Sequence, residues 1–175
     1  PAAFASYLYV LDENQQYYNV KTLTSINLPK DITDISTALF MNFTNLTNIT
    51  IPSGVTSIGN YAFSGCTSLT SIEIPNNVTR IGGLAFSGCT NLTSIIMLGE
   101  VPPTIESNTL SNINVSMIKV PTFKAYEAYT QATNWVHYTS IITTDEAGIF
   151  SIKNQILSLD KITSKNIQLT YLGAN

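Results

Sequence analysis

Residues 46–97 carry one pattern twice, and this constrains the chain more than any other feature. Leu46-Thr-Asn-Ile49-Thr-Ile51-Pro52-Ser-Gly-Val55-Thr-Ser-Ile58-Gly-Asn-Tyr-Ala62-Phe63-Ser-Gly-Cys66 is followed by Leu69-Thr-Ser-Ile72-Glu-Ile74-Pro75-Asn-Asn-Val78-Thr-Arg-Ile81-Gly-Gly-Leu-Ala85-Phe86-Ser-Gly-Cys89. The offset is 23 residues at every matched position. Self-similarity at a fixed short period means stacked units, none of which can bury its apolar side alone. The register runs outward in both directions. The first apolar column is Leu23, Leu46, Leu69, Leu92 and Val115. The next is Ile26, Ile49, Ile72, Ile95 and Ile118, and the third is Leu28, Ile51, Ile74, Met97 and Val120. Proline follows at 29, 52, 75 and 121, and Leu98 replaces it in the fourth copy. Ile32, Val55, Val78 and Val101 form a further column, then Ile35, Ile58 and Ile81, then Phe40, Phe63 and Phe86.

The physics of one unit follows from its alternation. In Leu-x-x-Ile-x-Ile the two isoleucines point to one side and the residue between them to the other. Parallel stacking about 4.8 Å apart pairs the backbones and piles like side chains into ladders. The proline after the last isoleucine lacks an N–H and ends the strand. Ser53-Gly54 and Asn76-Asn77 supply turn chemistry. The Ala-Phe pair, followed by Gly65 or Gly88, reads as a short helical turn on the opposite, convex side, with the Phe column filling the core.

The run I-P-x-x-V-x-x-I-G-x-x-A-F-x-G-C-x-x-L-x-x-I resembles the BspA-like class of leucine-rich repeats over residues 23–121. The fold class expected is an α/β repeat. It is a leucine-rich-repeat solenoid of 23-residue repeats, with a parallel β-sheet on one face, short helical turns on the other and a short β-rich C-terminal appendage. The resemblance implies surface or secreted proteins of anaerobic bacteria and some parasitic protists. It also implies adhesion or binding to host matrix or partner cells.

Composition narrows the partners. Charged residues make up 11% of the chain, against roughly 25% in ordinary globular domains. A net charge of −3 offers no basic patch for nucleic acid and no electrostatic pull toward an anionic membrane. No apolar run approaches the roughly 18 residues that a membrane span needs. The chain opens on Pro1 without a Met or a signal peptide, and it is read as a mature or trimmed piece.

Three regions are expected. Residues 1–22 form an N-terminal capping segment of two short strands, Tyr7–Leu11 and Tyr17–Val20, whose tyrosines suit a half-wet position. Residues 23–142 form the solenoid, and residues 98–114 restructure their loop by dropping the Ala-Phe turn while keeping the 23-residue total. The solenoid closes on an amphipathic helix near 122–135, capped by Thr122, with Tyr126, Tyr129 and Trp135 turned toward the last rung. Residues 143–175 leave the register and read as a β-rich appendage or a truncated following domain. Their end, from Asn166 to Asn175, resembles the opening half of a C-terminal sorting domain used in Bacteroidetes secretion, but an appendage packed on the solenoid end is the preferred reading.

Few residues offer chemistry. Phe43 stands where later copies have Cys66 and Cys89, so this is an apolar core position and two buried free thiols are expected rather than a disulfide. Two thiols and one distant His make no zinc site, and no metal or other cofactor is expected. Asn45-Leu-Thr47 and Asn91-Leu-Thr93 match the N-glycosylation triplet, but the repeat wording already accounts for them. His137 has no nucleophile or paired carboxylate beside it in a recognisable motif, and the chain is not read as an enzyme.

Function is therefore expected on the outward face of the sheet. Two rows point there. One is Asn27, Thr50, Glu73, Ile96 and Lys119, and the other is Ser25, Asn48, Ser71, Ser94 and Met117. The candidate contact residues are Asn48, Thr50, Ser71, Glu73, Ser94, Ile96, Met117 and Lys119. Ile96 and Met117 form an apolar patch among small polar residues, which fits a contact site and equally a sheet face that only stays soluble or is covered by a neighbouring domain or subunit. The first reading is an extracellular adhesin-like module that binds protein or glycan of host or neighbouring cells. The second is a structural spacer or assembly module of a larger surface protein, with no ligand of its own.

Overall fold

The structure is a computed structural model of the 175-residue chain, and it describes residues 9–11, 17–19 and 22–145. In chain order the described strands are β1 (Tyr9–Leu11), β2 (Tyr17–Asn19), β3 (Ser25–Asn27), β4 (Asp34–Ile35), β5 (Asn48–Thr50), β6 (Ser57–Ile58), β7 (Ser71–Ile74), β8 (Arg80–Ile81), β9 (Ser94–Met97), β10 (Thr104–Ile105), β11 (Met117–Val120) and β12 (Ile142–Thr144). Helix α1 spans Phe123–Gln131, and a 3-10 helix spans Trp135–Ile141. The strands expected within 1–22 are β1 and β2, paired antiparallel. Most of the remaining segment, and residues 146–175 with the sorting-domain resemblance, lie outside the described residues.

The solenoid stacks in the expected register. Ser25–Asn27 lie opposite Asn48–Thr50, Ser71–Ile74 opposite Ser94–Met97, and Met117–Lys119 opposite Ser94–Ile96, all in parallel. The isoleucines between point inward: Ile72 is 2% exposed and Ile118 0%. The Phe column forms a stack. Phe40 and Phe63 have ring centroids 5.3 Å apart, and Phe63 and Phe86 lie 5.5 Å apart and nearly coplanar in orientation at 1°. Each fully buried side chain of this size removes enough apolar surface from water to contribute about 1.5–3 kcal/mol. The ladder of identical residues means every rung gains it.

A second parallel sheet, β4–β6–β8–β10, runs along the stack and was not expected from the sequence. Its strands have two residues each, too short for alternation to register. Ile35, Ile58, Ile81 and Ile105 are its inward positions. Gly59 and Gly82 follow the inner Ile58 and Ile81, where backbones approach so closely that a Cβ on Gly59 would lie 2.5 Å from the Thr37 nitrogen.

The short turns expected around the Ala-Phe pairs are single turns closed by backbone bonds. Met41 N–H donates to Ala38 O, Ser64 N–H to Tyr61 O and Ser87 N–H to Leu84 O. Ala38, Tyr61 and Leu84 take positive φ near 55–57°, which keeps these turns from propagating into a helix. Between rungs the turns also form a ladder: Phe40 N–H donates to Ala62 O at 2.8 Å and Phe63 N–H to Ala85 O at 2.8 Å.

Side chains extend the stacking. Thr47, Thr56, Thr79 and Thr93 each donate a hydroxyl to the carbonyl of a threonine 23 residues earlier. Asn91 donates its amide to Thr67 O at 2.8 Å, so this triplet asparagine has a structural partner. Cys66 and Cys89 are buried free thiols, donating to Phe40 O and Phe63 O at 3.1 and 3.0 Å. The neighbouring Cys89 and burial together hold the Cys66 thiol above its ordinary range.

The fourth repeat corrects two expectations. Val101 does not join the Ile32–Val55–Val78 column but is 78% exposed. Ile105 pairs opposite Ile81, a shift of one residue, and the extra residue lies in the Val101-Pro102-Pro103 segment. The Ala-Phe turn is not dropped either. Thr109 and Leu110 take its place, with Phe86 N–H donating to Thr109 O as Phe63 does to Ala85. Buried Thr109 is satisfied: its hydroxyl donates to Gly82 O and accepts from Glu106 N–H.

Past the last Pro, α1 closes the end. Thr122 caps it, accepting from Ala125 N–H at 3.0 Å. The helix stops at Gln131, short of Trp135, because Ala132 turns to extended backbone; Asn134, at a φ of 67°, then leads into the 3-10 helix that Trp135 opens. Tyr129 and Trp135 are buried as expected, whereas Tyr126 is half-buried. The chain then returns to the sheet. β12 pairs in parallel with β11, Ile142 opposite Ile118, so the solenoid sheet runs through Thr144 and the boundary expected after residue 142 falls inside a strand.

Candidate functional site

The two outward rows are real neighbours across the strands. Glu73 and Lys119 lie on either side of Ile96, and Ser71 and Met117 on either side of Ser94. Asn48 and Thr50 continue the rows on β5 beside Ser25 and Asn27. Asn48, Thr50, Ser71 and Glu73 are exposed, Ser94, Ile96 and Lys119 half-buried, and Met117 is 37% exposed. The face is therefore small and polar at β3–β5 and apolar toward β9–β11. Leu98, 48% exposed, widens the apolar part and was not among the expected residues. The signal for it was its replacement of proline in the fourth copy.

Charge on this face is uneven. Lys119 is paired with Asp145 just past β12. Elsewhere Arg80 pairs with Glu106 and Lys124 with Glu100. Among the described residues, no cation pairs with Glu73.

The outward sheet is also interrupted. β3 pairs with β5, and β7, β9, β11 and β12 follow one another in a four-stranded sheet, but no ladder joins β5 to β7. A depression of about 180 Å³ lies at this break. It brings together Asn48, Thr50, Ser71, Glu73 and Ile96 of the expected residues, with Pro75 and Leu98 at one end. Ser94, Met117 and Lys119 lie on the neighbouring strands and outside it.

His137 is exposed on the 3-10 helix. Among the described residues, no group of three His, Cys, Asp or Glu is placed to hold a metal ion, and no helix is long and apolar enough to cross a membrane.

A stack of parallel rungs with 23-residue spacing and an open outward sheet defines a leucine-rich-repeat solenoid. The BspA type leucine rich repeat region, in 6 copies, matches residues 13–134, which is well over half of the chain, and the chain belongs to this family. Repeats of this kind serve protein interaction or scaffolding and are generally non-enzymatic. Among solved structures, the chain is similar to a leucine rich cell surface protein from Faecalibacterium prausnitzii A2-165, with 24% identity and a TM-score of 0.50. That likeness, one of fold, covers 69% of this chain and 39% of the other. A leucine-rich repeat protein from Bacteroides capillosus ATCC 29799 shares 28% identity at a TM-score of 0.46, covering 65% of this chain and 72% of its own. The T. pallidum Leucine Rich Repeat protein shares 21% identity at 0.48, covering 65% and 68%. No curated protein matches the chain.

Proposed function

We propose that the chain is an extracellular, adhesin-like recognition module that binds protein or glycan of host or neighbouring cells through the outward face of its solenoid sheet. The observation that carries this reading is the in-register placement of Ile96 and Met117 among small polar residues on that face. Ile96 is partly exposed, Met117 is 37% and Leu98 48% exposed, and together they make an apolar patch of the kind that contact sites use. The contact set is Asn48, Thr50, Ser71, Glu73, Ser94, Ile96, Met117 and Lys119. In this reading residues 1–22 cap the stack, the solenoid from residue 23 carries the ligand face, and the residues past its last strand form a β-rich appendage or a truncated following domain. Surface display fits the family and the description of the Faecalibacterium protein as a cell surface protein.

The test is a capture screen of the full chain against immobilised matrix proteins, mucins and glycans, with Ile96→Asp combined with Met117→Asp run beside it. The expected result is a hit in the wild type that is lost in the double variant, with both melting at the same temperature. Capture that survives the double variant contradicts the proposed face. Silence across the panel favours the spacer or assembly reading, which also fits a chain that spans 39% of its surface-protein neighbour.

A further inference from the structure

We infer that the opening between β5 and β7 seats one basic side chain of an extended partner peptide, with Glu73 as its counter-charge. The inference rests on the proposed use of the outward face and narrows it to a partner chemistry.

The first observation is the missing ladder itself. Thr47 N–H donates to Thr24 O at 2.9 Å and Thr93 N–H to Thr70 O at 3.0 Å, yet among the described residues no such bond joins Thr70 to Thr47. One further bond is missing at the strand end. Leu98 N–H donates to Ile74 O at 2.9 Å, but one rung earlier Pro75 has no N–H to offer Ile51 O. Pro52 has the same defect, and there the β3–β5 ladder is three residues long against four for β7–β9. The two rungs stay stacked, with Phe63 over Phe86 at 5.5 Å and Thr79 N–H bonded to Thr56 O, so the missing ladder leaves a depression on the outward face wide enough for a side chain.

The second observation is charge. Glu73 lines the depression, and among the described residues no cation pairs with it. The third is the wall. Ile96 and Leu98 stand beside Glu73, an apolar surface for the methylene stem of a Lys or Arg whose charged head reaches the carboxylate. A sulfated or sialylated glycan would instead bring like charge to Glu73, and no aromatic ring lines the depression as a platform for a sugar.

The probe is a blocked, fluorescein-labelled pentapeptide Thr-Val-Lys-Val-Thr, titrated with the full chain and read by fluorescence anisotropy. Parallel titrations replace its Lys by norleucine or Glu. A charge-assisted contact predicts that the Lys peptide binds about tenfold or more tightly than the norleucine peptide. The preference disappears in Glu73→Gln and shrinks as salt is raised. Equal binding of the Lys and norleucine peptides overturns the inference, as does binding unchanged in Glu73→Gln. So does a complete lack of peptide binding. If the capture screen still gives a hit lost in Ile96→Asp with Met117→Asp, only this inference fails and the face reading stands. Peptide binding that passes these criteria beside a capture hit insensitive to the double variant fails the broader contact set and supports the opening.

Discussion

Phe63→Ala is expected to lower the unfolding free energy by about 3–5 kcal/mol, read by urea titration followed by circular dichroism. Phe63 is 0% exposed and lies between Phe40 and Phe86, with centroids 5.3 and 5.5 Å away. Truncation removes the ring's burial and both stacking contacts at once, and the hole opens in the middle of the stack. The backbone resists collapse into it, because Phe63 N–H is tied to Ala85 O and Phe40 N–H to Ala62 O. In a repeat protein, stability is close to a sum of rung and interface terms, so a loss at a central rung weakens two interfaces. A cost below about 1 kcal/mol would contradict the Phe ladder as a core element.

Trp135→Ala is expected to cost a similar amount, about 3–5 kcal/mol, with the damage confined to the C-terminal end. Trp135 is 1% exposed and packs edge-on against Tyr129 with centroids 5.0 Å apart. Its Nε1–H donates to Pro103 O at 2.7 Å, tying the closing helix to the altered loop of the fourth repeat. Alanine removes the ring and leaves that carbonyl without its donor. Trp135→Phe separates the two effects: it keeps most of the packing and loses the bond, at about 1–3 kcal/mol. The truncation also broadens the thermal transition, since rungs near β11 and β12 lose their cover while β5–β7 keep theirs. A sharp, unshifted melt for Trp135→Ala would contradict the end-closing role.

The register was legible because each rung repeats the same inward residues. The columns at Ile49, Ile72, Ile95 and Ile118 are the columns of the sheet. So was Thr122 as a cap, since its chemistry is local. Val101 misled because its identity and position suit the Val column, and only the Pro102-Pro103 pair hints that the chain runs one residue late to Ile105. Thr109-Leu110 hid the retained turn, since a buried threonine satisfied by Gly82 O substitutes for alanine without resembling it. β12 was hidden for another reason: it joins the stack after a helical excursion, outside the 23-residue period. On the outward face, the rows could be read but the break between β5 and β7 could not. Pairing there depends on backbone geometry, and proline gives no trace of it, since Pro52 and Pro121 stand at the same repeat position beside strands that do pair.

The most direct measurement of the outward face is hydroxyl-radical footprinting of the full chain, free and with a captured partner bound. Met117 is 37% exposed on the proposed face, and Met97 is 2% exposed on the inward side, so the chain carries its own control. Radicals convert an accessible methionine to its sulfoxide and spare a buried one. Met117 is expected to oxidise readily in the free chain and to be protected by the partner, with Met97 slow in both states. Equal oxidation of Met117 with and without the partner would contradict recognition through this face.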